Sequence, residues 1–177
     1  MKGEAPVVPA ADFHSYYGRP VIKAPVWRSP DIPGYLFLGG LAGASSTLAL
    51  GAHITNRTGL ARPAKLGAAA AIGLSLFALV RDLGRPDRFY NLLRVFKPTS
   101  PMSVGSWLLA AYGPLAMTAA GSELTGAVPA VGSGATLGAA ALGPAVAAYT
   151  AALLSDTAVP AWHEGHRIMP FVFTSSA

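Results

Sequence analysis

Charged side chains in this chain come in groups, and long uncharged runs separate the groups. No Asp, Glu, Lys or Arg occurs at 32–56, 66–80, 98–122 or 124–155, gaps of 25, 15, 25 and 32 residues. A helix needs roughly 20 apolar residues to cross a bilayer, so the pattern predicts spans at about 34–54, 64–81, 103–121 and 135–155. In the short second span Lys65 and Arg81 are expected to snorkel their charged heads towards the two interfaces. Pro114 and Pro144 fall inside predicted spans, which neighbouring helices in a membrane tolerate. Residues 1–33 hold six prolines and read as an extended arm. The arm lacks the basic-then-apolar opening of a signal peptide, so the first apolar run is expected to stay in the membrane. After Pro170 the chain turns apolar again at Phe171, Val172 and Phe173. Residues 156–177 therefore read as a connection and the truncated start of a fifth helix. The expected fold is an all-α membrane protein, a four-helix transmembrane bundle with a Pro-rich N-terminal arm.

The predicted spans are rich in small residues. Gly39 and Gly43 make a GxxxG step in the first, and Gly67, Ala71 and Ser75 a small row in the second. Ala139, Gly143, Ala147 and Ala151 follow at i+4 spacing in the fourth. Small residues let helices approach closely where lipid gives no hydrophobic drive for association. Such rows support helix packing and carry no chemistry.

Composition sharpens this picture by exclusion. The chain is 52% apolar and 12% charged, with a mean hydropathy of +0.44, where a soluble domain carries about a quarter charged residues. With no cysteine, the chain cannot form disulfides, ligate iron–sulfur clusters, hold Cys-zinc sites or attach c-type haem. The net charge of +5 sits in the connections between spans, where membrane topology explains it. No basic face with interleaved aromatics points to nucleic acid. With four crossings, one side holds Lys2, Arg19, Lys23, Arg28, Arg81, Arg85, Arg88, Arg94, Lys97 and Arg167, and the other Arg57, Arg62 and Lys65. The positive-inside rule turns the first side to the cytoplasm, although a basic loop also serves as a docking surface.

Candidate chemistry is sparse. Haem b in a membrane bundle needs imidazoles facing each other from within helices. Only His53 lies near a span, without a partner, so no haem is expected. His163 and His166, at i, i+3 beside Glu164, read as interfacial polar residues, and no metal is expected. Tyr149 and Asp156 are seven residues apart, about two helical turns, and share a face if the helix continues that far. Asp156 ends a run of 32 uncharged residues. It is either an intramembrane carboxylate with a function or a solvated residue at a helix end. Tyr35 opens the first span on the same side, as a functional group or an interfacial anchor. The segment 81–107 packs five basic residues, two acids and the Pro98–Pro101 turn into one connection. It either caps a ligand cavity or docks a partner, or its charges serve only topology.

Three stretches carry a resemblance to a known family: YLFLGGLAGAS from Tyr35, DLGRPDRFYNLLRVFKPTSPMSVGSW from Asp82, and YTAALLSDTAVPAWHEGHRIMPFVFTSSA from Tyr149. Together they resemble the polysulfide reductase/NrfD-type integral membrane subunit, of which this chain is similar to the N-terminal half. The resemblance implies a haem-free anchor in the cytoplasmic membrane that exchanges electrons between quinone (menaquinone or ubiquinone) and a ferredoxin-like iron–sulfur subunit. That subunit in turn serves a molybdopterin or cytochrome catalytic subunit in polysulfide-, nitrite- or formate-type respiration. It implies a quinone site between the first helices, with Tyr35 and Tyr149 against the quinone and Asp156 as proton acceptor. By similarity Arg81, Asp82, Arg88 and Trp107 line the adjacent loop. The quinone is expected to enter between helices 1 and 4. Rival readings are half of a transporter or channel, with Asp156 and Tyr149 in a polar pathway, and a purely structural anchor.

Overall fold

The computed structural model describes residues 30–82, 86–156 and 159–176, and these contain helices and no strand. The N-terminal arm lies outside the described residues. Four long helices, α1 (Asp31–Ile54), α2 (Thr58–Asp82), α3 (Pro101–Thr125) and α4 (Pro129–Ser155), pack in a ring. Each touches the next, α4 closes on α1, and the α2–α3 seam is the sparsest. Two short helices follow, α5 (Pro160–Glu164) and α6 (Met169–Ser176), and α6 lies against α4.

The helices start earlier than the predicted spans. α1 begins at Asp31, with Pro33 in its first turn, where a missing N–H costs nothing. α2 begins at Thr58, six residues before its expected start, and carries Pro63 inside. α4 begins at Pro129 rather than 135. Charged residues in the first turns of α2 lie outside a hydrophobic pattern and still extend the helix, because helix geometry is set by the backbone.

Tight connections make the ring antiparallel. Asn56, at φ 54°, ends α1 in the left-handed conformation. Its N–H bonds to the His53 carbonyl and the Arg57 N–H to the Ala52 carbonyl, at 3.2 and 2.8 Å, the paired closure of a Schellman cap. Gly126, at φ 67°, ends α3 with the simpler left-handed cap, a single bond from its N–H to the Ser122 carbonyl. The α2–α3 connection is longer and contains a 3-10 segment, Pro86–Leu93.

Three of these helices, α1, α2 and α4, are long and apolar enough to cross a membrane. The expectation was four spans. α3 is 25 residues long, but Ser103, Ser106, Trp107, Tyr112 and Pro114 dilute its hydropathy, so its length is sufficient and its composition is not. It nevertheless completes the ring.

Small residues form the interior. Gly39, Gly43, Ala71, Ser75, Ala139, Gly143, Ala147 and Ala151 are all buried. α1 and α4 cross at Gly43 and Gly143, where a Cβ on either would run into the other's carbonyl oxygen. Lys65 departs from expectation. Its head does not snorkel but stays 6% exposed, 2.8 Å from Glu123 Oε2 of α3. A carboxylate across the seam satisfies the ammonium better than a stretch to the interface.

Candidate functional site

At one end of the ring α1 and α3 begin while α2 and α4 finish, so side chains from all four helices converge there. Tyr35, Gly39, Ala42 and Ser46 follow at i, i+4, i+7 and i+11 on the inward face of α1, and all four are buried. Tyr35 is 3% exposed and shares a side-chain hydrogen bond with Tyr149 of α4. Ser75 of α2, fully buried, donates to the Tyr35 carbonyl at 3.0 Å. That carbonyl is near the start of its helix, and the bond ties α2 to α1 at this depth. From α3, Gly105 completes the arrangement. It has no side chain, and the Tyr149 ring occupies the place where a Cβ would stand.

Two grooves lie on the seams of the ring, and the tyrosines themselves line neither. One lies between α1 and α4, has a volume of about 330 Å³, and is lined by Leu36, Phe37, Leu41, Ala147, Thr150 and Phe173 of α6. Leu36 and Thr150 are the chain neighbours of the two tyrosines. The other lies between α2 and α3, is about 380 Å³, and is walled by Ile72, Leu76, Leu109 and Met117 under Phe89 and Leu93 of the 3-10 segment. Both volumes fall in the range of small-molecule sites.

The remaining predicted residues divide. Arg81 is largely exposed and reaches Asp31 at 3.6 Å, one turn before Tyr35. Asp82 is half-buried as the last residue of α2. The Arg88 side chain lies outside the described residues. Trp107 is 41% exposed, two residues from Gly105 and so about 200° round α3. It faces away from the pair and meets Phe96 edge-on at 6.3 Å. α4 ends at Ser155, and Asp156 is its exposed cap. Of its two sequence alternatives, the solvated helix end is the one that this geometry matches.

Histidine geometry is peripheral. The Nδ1 atoms of His163 and His166 donate to the Ser155 and His163 carbonyls, at 3.3 and 2.8 Å. Among the described residues no three His, Cys, Asp or Glu side chains gather as metal ligands.

Sequence reasoning missed the second polar layer, two turns deeper. Tyr112 of α3, fully buried, donates to the Ala42 carbonyl at 2.6 Å, and Ser46 donates to its hydroxyl oxygen at 2.7 Å. It also missed Gly105 and Ser75. Only the small-residue row through Ser75 signalled any of them.

Chemically, the tyrosine layer is uncharged. The buried polar residues among those described are Ser46, Lys65, Ser75, Thr136 and Thr150, and the one charge lies at the other end of α2. Of two linked hydroxyls, one spends its O–H on the other and the second keeps its own O–H to donate. A family model described as polysulphide reductase, NrfD, matches residues 20–177. No curated protein and no solved structure matches the chain.

Proposed function

Because this chain belongs to the polysulphide reductase, NrfD family, and so is a membrane subunit of an oxidoreductase complex, we propose that it exchanges electrons with the quinone pool at the Tyr35–Tyr149 pair. In this reading all four long helices cross the cytoplasmic membrane, α3 included. The observation that carries it is the hydrogen-bonded pair of phenols in a layer where the described residues bury no charge, with grooves on the α1–α4 and α2–α3 seams.

The α1–α4 groove admits the carrier. Its walls are mostly apolar, with Thr150 among them, and the chain neighbours of both tyrosines line it. Phenol hydroxyls suit a quinone because they donate to a carbonyl oxygen and accept from a quinol hydroxyl. Converting quinone to quinol takes two electrons and two protons. The chain has no cysteine to ligate an iron–sulfur cluster, and in this reading the electrons come from, or go to, an iron–sulfur subunit docked over the basic 81–97 connection, which serves a molybdopterin or cytochrome subunit. Protons pass through the hydroxyl pair to the surface, where Asp156, exposed at the end of α4, is an acceptor in contact with water rather than a buried base. The roles of Arg81, Asp82 and Arg88 are to hold that surface.

The test is quinol-linked turnover in the assembled complex. Tyr149→Phe and Tyr35→Phe remove the hydroxyls and keep the rings, and each is expected to lower turnover by about tenfold or more, the scale of a lost charge-developing hydrogen bond. Unchanged turnover in both would remove the pair from the reaction. Substrate flux through vesicles lacking any redox partner would instead support a transporter.

A further inference from the structure

The stretch 94–107 contains a dense set of contacts that the quinone reading does not use. Ser100 caps α3 and accepts from the Ser103 N–H at 3.4 Å, and Pro101 opens the helix. The Ser103 hydroxyl then works in both directions. It donates to the Val95 carbonyl at 3.1 Å and accepts from the Lys97 N–H at 3.0 Å. The Ser100 N–H bonds back to the Lys97 carbonyl at 3.0 Å. One turn on, Trp107 meets Phe96 edge-on. The preceding turn is thus stitched to the first two turns of α3 through Ser103 and Trp107, on either side of Gly105.

Gly105 is unlike the other two glycines of α3. A Cβ at Gly113 would make ordinary contact with Leu76 at 3.7 Å, and one at Gly121 would meet nothing within 4 Å. Alanine favours a helix over glycine wherever there is space, so neither of those positions requires glycine on steric grounds. At Gly105 the methyl would fall within the Tyr149 ring itself. The ring would have to move by more than an ångström, beyond what a hydroxyl–hydroxyl bond of about 2.5–3.0 Å tolerates.

We propose that Gly105 is a positioning residue for the Tyr35–Tyr149 pair, and that the Ser103-stitched turn before α3 sets the depth at which Gly105 receives the Tyr149 ring. The turn joins the basic connection to the tyrosines by a short covalent and hydrogen-bonded path, so strain applied at Phe96 or Lys97 moves the floor under Tyr149. The proposal deepens the quinone reading in its consequences. Its structural content stands apart from that reading and is tested without quinone.

The experiment uses 3-fluorotyrosine incorporated into the detergent-purified complex, with the resonances of positions 35 and 149 assigned from Tyr35→Phe and Tyr149→Phe. Gly105→Ala is expected to shift the 149 resonance and to move the 35 resonance to where Tyr149→Phe leaves it. Ser103→Ala is expected to shift both in the same direction by less, and Gly121→Ala to shift neither. Resonances unmoved by Gly105→Ala would overturn the proposal. A thermal cycle guards against a variant that fails to assemble. Gly105→Ala is expected to lower Tm beside Tyr149 and to be tolerated beside Tyr149→Ala, as coupled neighbours require, whereas an equal loss in both backgrounds would overturn it. Shifted resonances with unaltered quinol turnover would uphold Gly105's role and contradict the quinone reading.

Discussion

The two seams of the ring that involve α1 with α4 and α2 with α3 are built on opposite terms. On the first, Gly43 and Gly143 bring two backbones together at their crossing so closely that no side chain fits there, and the α1–α4 groove opens beside that crossing. On the second, large residues such as Leu76 and Met117 hold the helices apart around an apolar groove, and a single ion pair, Lys65–Glu123, closes one end. Small residues thus let one seam close to backbone contact at a single crossing, and large ones leave the other splayed, with a polar clasp at one end. The tyrosine pair sits where both seams meet the same end of the bundle.

The comparison breaks most severely at Gly43. Gly43→Val is expected to destabilise by more than about 3 kcal/mol, the range of overpacking against backbone, read as a loss of folded protein or a large fall in Tm. Gly113→Ala, on the splayed seam, should leave Tm nearly unchanged. Next in size is the clasp. Glu123→Ala leaves a buried ammonium unpaired and is expected to cost about 2–3 kcal/mol, while Lys65→Met with Glu123→Leu should recover most of the loss in thermal unfolding. Tyr112→Phe removes the bond to the Ala42 carbonyl and strands Ser46, with an expected loss of about 1–2 kcal/mol. Arg81→Ala should be the mildest, below about 1 kcal/mol, because the arginine is mostly exposed and 3.6 Å from Asp31.

Charge gaps located the helices because an unpaired charge is too costly to leave in lipid. They did not locate the helix starts, since residues 58–63 and 129–134 continue the backbone ahead of the predicted spans. Nor did they reveal the clasp, because a gap reports where charges are absent and not where two pair across 58 residues of sequence. Tyr35 and Tyr149 were legible as tyrosines at the same end of two neighbouring spans, and the structure joins them. Asp156 shares Tyr149's face on the condition that α4 continues through it; it is the exposed C-cap of α4, its N–H still bonded to the Ala152 carbonyl. Gly105 was invisible for a further reason: a glycine's partner is defined by the atom it lacks, which no one-dimensional pattern records. Trp107, singled out with the loop, faces the other way round α3, because two residues on a helix are half a turn apart.

The claim on which the rest depends is that a hydrophobic quinone reaches the phenol pair through the α1–α4 groove. A photoreactive quinone, irradiated in membranes holding the assembled complex and mapped by mass spectrometry, addresses it most directly. The account predicts labelling in 36–41 and 147–150, displaced by excess quinone and weakened by Tyr149→Phe. Labelling confined to α2 and α3, or indifferent to added quinone, would contradict it.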